Sequence, residues 1–502
     1  MTNSTSTDIE RNQYLYTNLA LDFAAQIRSG AKEPGVKLPS LRKLAEDVGV
    51  SVTTVLTAYE ELMALGLIES RPKSGFFVSG TKLASMNIPG RTSPSGNALQ
   101  LSISKPSMAL LSQVSRTDVA PLGCAVPSAE LLDTIKIDRL MNRVNRTAQG
   151  HLNTYAPALG LQELRDQLAK RHSDIGDFAD PDQIIITNGC TEALSLTLQA
   201  VARRGDTIAL ESPTYFGVLQ ILEAQGLRVL ELPTDHQGVC PDDLRNCFSR
   251  HNVAACLFSS SYSNPMGATM LDDRKVEILD ILAQHKVPLI EDDTYGDLVL
   301  RGPRPKPFTA LNDRAEVFYC SSFSKSAAPG YRIGWLRAKT RLDEIADRKF
   351  AASLCNAILP QVTMARFIET GAYARHVRKV SSALRNNLVR SRQQIASSFP
   401  AGTKISDPAG GFVLWLELPP GFDSEELFQI ALKKNICFAP GTIFSATDTY
   451  RNCLRISCGH HWDDSISSAI LTLGGLATEQ LLDVTTSGSI EKFSSKEIPT
   501  GA

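Results

Sequence analysis

No run of apolar residues in this 502-residue chain is long enough to span a bilayer. Its polar opening, Met1-Thr2-Asn3-Ser4-Thr5-Ser6-Thr7-Asp8, lacks the apolar core of a signal peptide. Neither a membrane-spanning nor a secreted protein is expected. None of the ten cysteines (124, 190, 240, 247, 256, 320, 355, 437, 453 and 458) falls in a C-x-x-C pair. That argues against a zinc site or a disulfide framework and for reduced thiols in the cytoplasm. Charge of one sign is lacking too: 52 Lys+Arg against 53 Asp+Glu leave a net of −1, which names no partner. No internal repeat or heptad run stands out. What remains is an ordinary globular composition, 43% hydrophobic and 21% charged, over a length that implies two or three domains.

Lys325 stands in Ser321-Ser322-Phe323-Ser324-Lys325, followed by Pro329-Gly330-Tyr331-Arg332-Ile333-Gly334-Trp335. An apolar strand, Val317 to Cys320, runs into a serine-rich turn that presents one lysine, and an arginine follows behind a Pro-Gly turn. Such a setting suits covalent capture of an aldehyde cofactor. The amine forms an imine, hydroxyls and guanidinium grip a phosphate, and apolar flanks keep the lysine nucleophilic.

Composition divides the chain at about 80, 120, 345 and 483. Residues 1–80 read as a helical unit ending in a hairpin, and 81–120, rich in breakers, as a linker. A flexible linker of that length spans roughly 35 Å r.m.s., enough to set the first domain on a neighbouring subunit. From 121 to 345, continuous apolar strands (Ile184–Thr187, Thr207–Leu210, Arg228–Leu232, Ala255–Phe258, Pro288–Glu291 and Val317–Cys320) alternate with helices. That pattern predicts an α/β fold with a mostly parallel sheet covered on both faces. Residues 346–483 read as a small α+β subdomain, and 484–502 as a disordered tail.

In the first unit, Ser40 caps a helix with Leu41, Leu44, Ala45 and Val48 on one face, ended by Gly49. Ser51 caps a second helix that buries Val55, Ala58, Tyr59 and Leu62 and exposes Thr53 and Thr54 in its first turn. Leu67–Arg71 and Gly75–Val78 pair as a hairpin with Pro72-Lys73-Ser74 at its tip. Together these make a helix-turn-helix with a wing. Eight basic residues against nine acidic in 1–80 are a poor electrostatic footprint for DNA, although Arg42, Lys43, Arg71 and Lys73 fall where a duplex would lie. A helical docking domain without nucleic acid is the competing reading. Pro34-Gly35-x-x-Leu38-Pro39-Ser40-x-Arg42-x-Leu44-Ala45, Val50-Ser51-x-x-Thr54-Val55 and Ser74-Gly75-x-Phe77-Val78 resemble the GntR-type winged-helix domain. The resemblance implies DNA contacts from Ser40, Arg42, Ser51, Thr53, Thr54, Lys73 and Gly75.

Further motifs lie at strand ends. Asn188-Gly189-Cys190-Thr191 opens a helix whose backbone N–H groups suit a phosphate. Tyr215, in Glu211-Ser212-Pro213-Thr214-Tyr215, can stack on a flat ring. Asn264, in Ser263-Asn264-Pro265-Met266-Gly267, can bond a ring oxygen. Asp292, in Glu291-Asp292-Asp293-Thr294-Tyr295, can pair with a pyridine nitrogen. In this order, residues 121–478 resemble the fold-type-I aminotransferase domain that binds pyridoxal 5′-phosphate (PLP). The resemblance implies Lys325 as the imine lysine, Asp292 on the ring nitrogen, Asn264 and Tyr295 on the ring hydroxyl, and Tyr215 on the ring face. Gly189, Cys190, Thr191, Ser322, Ser324 and Arg332 would hold the phosphate, with Tyr155 reaching the partner subunit's phosphate. Arg455, in Cys453-Leu454-Arg455-Ile456-Ser457, would clamp a substrate carboxylate. Two departures are Cys190, where a smaller residue is usual, and the acidic pair Asp292-Asp293.

A GntR-type head on such a body resembles the MocR family of transcriptional regulators. That implies PLP, with or without an amino compound, as effector, a double-stranded DNA operator, and a domain-swapped head-to-tail homodimer in the cytoplasm. The alternative is a working aminotransferase converting an amino acid to a 2-oxo acid, with Lys325, Asp292 and Tyr295 catalytic and the first domain accessory. His460-His461 lack a third ligand at suitable spacing and read as structural residues, with no metal implied.

Overall fold

The computed structural model describes residues 16–494 except 17, 18, 21, 25, 28–30, 34, 65, 72, 73, 80–86, 102–111, 113–115, 117, 148–150 and 312. Lys73, expected at the wing tip, lies outside the described residues. Two compact units result, Met1–Met86 with Leu388–Ser398, and Asn87–Asn387 with Phe399–Ala502.

In the first unit, α1 (Leu41–Val48) starts at Ser40, whose Oγ accepts from the Lys43 N–H, and stops at Gly49 in the left-handed region. Helix α2 (Val52–Ala64) starts at Ser51, whose Oγ accepts from the Thr54 N–H at 3.0 Å. Val55, Ala58, Tyr59 and Leu62 are fully buried against Leu44, Ala45, Ile68 and Val78. The Tyr59 hydroxyl donates to the Pro39 carbonyl and ties the two helices together. Strands β1 (Ile68–Arg71) and β2 (Gly75–Val78) pair antiparallel. Two expectations need correction. Val48 is 48% exposed, because it lies in the last turn of a two-turn helix whose buried residues are Leu44 and Ala45. Thr54 is buried, since it stands four residues before Ala58 and so on the inward face, and its hydroxyl shares a hydrogen bond with Ser51 Oγ.

The second unit is built on a sheet. Its strands are β3 (Leu99–Gln100), β4 (Ile184–Asn188), β5 (Thr207–Ser212), β6 (Arg228–Asp235), β7 (Gly238–Val239), β8 (Ala255–Phe258), β9 (Leu289–Asp292), β10 (Val317–Ser322) and β11 (Ile333–Arg337). Their order is β3-β6-β5-β8-β9-β10-β11-β4, with β7 on β6. Strands β6, β5, β8, β9 and β10 are parallel, whereas β3 and β11 run against their neighbours. Successive residues face opposite sides. Ile208 and Leu210 meet one core with Leu194, Leu198, Val218 and Leu222, while Ala209 meets another with Leu244, Ile278 and Leu282. The helices that matter below are α3 (Ile135–Thr147), α4 (Gln162–Asp174), α5 (Cys190–Val201), α6 (Phe216–Gln225), α7 (Leu342–Ser353), α8 (Ile358–Glu369) and α9 (Ala372–Ser398). A second, antiparallel sheet joins β12 (Lys404–Ile405), β13 (Val413–Glu417), β14 (Ala439–Pro440) and β15 (Cys453–Ser457) in the order β12-β13-β15-β14.

Three boundaries differ from expectation. The described residues from 87 to 101 are not a tether. Thr92 Oγ1 donates to the Ser212 carbonyl at 2.7 Å and accepts from Thr234 N–H at 2.8 Å, Arg91 pairs with Asp243, and β3 adds to the edge of the main sheet. The reach that composition suggested therefore has no support from this stretch. The large-domain core also continues past 345, because Met364, Ala365, Phe367 and Tyr373 pack with Ile184, Ile186, Phe323 and Trp335. At the far end α10 (Asp464–Ser494) keeps a helical backbone beyond 483, and residues 495–502 lie outside the described residues. Helix propagation from a packed first half costs less than nucleation, so a polar stretch can continue a helix already formed.

Candidate functional site

The parallel strands point their carboxyl ends to one side, where ligands of open α/β sheets bind. A cavity of about 920 Å³ lies there, with Cys190, Tyr215, Asn264, Asp292, Tyr295 and Lys325 among its walls. Thr191, Ser322, Ser324 and Arg332 line it as well.

Lys325 follows β10, and its Nζ donates to the Ala125 carbonyl at 2.7 Å. Burial pulls its amine down to about 8, the positive charges of Arg455 and Arg332 adding to the effect and Asp292 opposing it. Asp292 ends β9. Its Oδ1 accepts from the Thr294 hydroxyl at 2.5 Å, the Thr294 N–H at 3.1 Å and the Cys190 thiol at 3.6 Å. Burial nevertheless keeps its carboxyl above the usual range. The same burial, with Asp292 nearby, holds the Cys190 thiol protonated. The acidic pair is split by the strand alternation. Asp293 turns to the other face, where it pairs with Arg304 at 2.5 Å and accepts from the Tyr319 hydroxyl at 2.7 Å.

Gly189 caps α5 without a side-chain bond of its own. Its φ is +78°, and a Cβ there would collide with the Arg332 guanidinium, which donates to the Asn188 carbonyl at 3.0 Å and to Ser324 Oγ at 3.3 Å. Glycine is what lets the cation lie across the uncapped helix start. Arg332 itself sits at φ +55°. Gly217 likewise gives the Tyr215 ring room to fold back over α6. Tyr295 is 5% exposed, and its Oη has no hydrogen-bond partner among the described residues.

Arg455, from β15, is 1% exposed and is not in the cavity wall. Its Nη1 donates to Asn264 Oδ1 at 2.9 Å, its Nη2 to the Gly123 carbonyl, and its Nε has no partner among the described residues. Tyr155 is 83% exposed and stands outside the cavity wall. Residue reasoning missed Thr294, Asn188 and the Gly123 and Ala125 carbonyls. Thr294 was within reach of it, as a hydroxyl two residues after a strand-end aspartate. The carbonyls carry no side-chain signal.

In the first unit Arg42, Ser51, Thr53 and Gly75 are exposed, while Ser40 and Ser51 also serve as caps. Lys37, given no role by its sequence, bridges to Phe77 of the wing and places its ammonium 5.8 Å from that ring. Arg71 covers the same ring at 4.3 Å and is partly neutralised by Glu69.

The architecture and the strand-end cluster define a fold-type-I aminotransferase-like body carrying a winged helix. Residues 128–470 match the family of aminotransferases class I and II, and residues 15–78 the bacterial regulatory proteins of the gntR family. Among relatives, the uncharacterized HTH-type transcriptional regulator YjiR of Escherichia coli is 35% identical, covering 91% of this chain and 98% of its own. YdcR, from the same organism and named in the same way, is 32% identical, covering 93% and 99%. Among solved structures, kynurenine aminotransferase of Pyrococcus horikoshii, in complex with PMP, superimposes with a TM-score of 0.71 at 26% identity, over 76% of this chain and 96% of that one. The chain belongs to the MocR family, in which a GntR-type head precedes an aminotransferase class I and II body. Among the described residues, no helix is long and apolar enough to cross a membrane.

Proposed function

We propose that the chain is a cytoplasmic transcriptional regulator that binds an operator through its winged helix and senses PLP, alone or with an amino compound, through its aminotransferase-like body. One observation carries the reading: a winged helix shares its chain with a strand-end cluster that fits PLP group by group. The unpartnered Tyr295 Oη, with Asn264, suits a ring hydroxyl. Asp292, its carboxyl raised by burial, suits a cationic ring nitrogen. The uncapped start of α5, with Thr191, Ser322, Ser324 and Arg332, suits a phosphate. Tyr215 would cover the ring face. When bound, the cofactor would supply an electrophilic carbon for amines and an electron sink for bonds at the amine-bearing carbon.

The chain's own residues do the rest. Lys325 Nζ, with its amine near 8, would hold the cofactor by its aldehyde and could take up or give back a proton beside it. Asp292 would hold the ring nitrogen in its protonated form. Cys190, held neutral, adds no competing charge. Arg455 would leave Asn264 to meet an α-carboxylate. Turnover as an aminotransferase is the second reading, favoured by that same lysine, whose lowered amine can exchange a proton near neutral pH. We read the molecule as a head-to-tail homodimer, because Tyr155 is exposed where the resemblance has it reach a partner subunit's phosphate.

The test adds PLP and then a panel of amines and amino acids to the purified chain, following absorbance and operator binding together. A stalled adduct with altered DNA affinity supports the regulator. Steady release of a 2-oxo acid with unchanged DNA affinity contradicts it.

A further inference from the structure

Away from the cavity, a groove of about 430 Å³ runs between α3 and the start of α9. Lys136, Arg139 and Arg143 follow one another along α3 at intervals of three and four residues, so they share one face. Arg375 and Lys379, four apart on α9, form the opposite wall. All five are exposed. Among the described residues that line the groove, the one carboxylate, Asp133, is already taken up by Lys379 at 2.9 Å and Lys136 at 3.7 Å. Arg139 and Arg143 make no ion pair among the described residues. In a chain of net charge −1 this concentration of cations is not an average of the composition. It gains nothing from burial, and its members repel one another.

We infer that this groove is a second surface for double-stranded DNA, gripping its phosphate backbone. The inference rests on the regulator reading, which supplies the duplex. A small anion would call for a buried, convergent donor set, whereas these cations are open to solvent. The α3 cations span about 10 Å, a length over which a duplex presents several phosphates. One hydrogen bond links the groove wall to the segment that carries Lys325. His376, between Arg375 and Lys379, donates from Nε2 to the Ser326 carbonyl at 2.9 Å, one residue beyond Lys325.

The test is fluorescence anisotropy of the full chain on a labelled random-sequence duplex of about 40 base pairs, across a salt series. It compares wild type, the triple variant Arg139→Gln/Arg143→Gln/Arg375→Gln, and Arg42→Ala, with thermal melts to check folding. The triple variant is expected to bind at least about tenfold more weakly at 0.1 M salt, with a log–log salt slope smaller by about 2 to 3. Unchanged affinity and slope would overturn the inference. So would a loss confined to binding of poly-glutamate, which would assign the groove to an acidic protein. If the triple variant weakens binding and Arg42→Ala does not, the groove stands and the winged-helix assignment falls. If wild type binds no duplex at any salt, both fall.

Discussion

The chemistry proposed for this chain rests on Lys325, one amine held near 8 by burial and by the cations around it. Only the neutral amine attacks an aldehyde, so the rate of PLP attachment should rise roughly tenfold between pH 7 and 9 and then level off. Stopped-flow absorbance checks this, and a rate already flat at pH 7 would show an amine less protonated than the buried setting gives. Gly189→Ala should displace Arg332 and weaken PLP binding at least about tenfold, at a stability cost of about 1–2 kcal/mol for a residue forced to positive φ. Equilibrium dialysis and a denaturant melt measure the two effects. Much of this site was legible because each motif follows an apolar strand, so its place at a strand end was fixed before any contact was known. The direction of neighbouring side chains was less legible. Asp292 and Asp293 look alike in sequence, yet strand alternation sends one to the cavity and the other to Arg304. Thr54 looked like its neighbour Thr53 until the helix phase buried it.

At the scale of elements, the strands and caps follow from local pattern, and the connection between head and body does not. Residues 87–101 have the composition of a linker, and their partners, Ser212, Thr234, Asp243 and Arg228, lie more than a hundred positions away. Nothing local announces such contacts. Thr92→Val should therefore cost about 1–3 kcal/mol, since it orphans the buried Thr234 N–H and removes a bond to the Ser212 carbonyl. A melt unchanged from wild type would return this stretch to the status of a tether. In the head, Ser51→Ala removes the cap of α2 and the partner of the Thr54 hydroxyl. It should lower the head's stability by about 1 kcal/mol, seen in hydrogen exchange of α2 amides, while PLP absorbance stays as in wild type.

For the whole molecule, the account is of a DNA reader and an amine-binding body carried by one chain, the state of one reported to the other. Reciprocity requires that if PLP alters DNA affinity, DNA alters PLP affinity by the same factor. The most direct measurement is the dissociation constant for operator DNA with and without saturating PLP, in wild type and in Lys325→Ala. The account predicts a change of at least about fivefold in wild type that Lys325→Ala abolishes while keeping its basal DNA binding. Equal affinities with and without PLP in wild type, with and without an added amine, would contradict it.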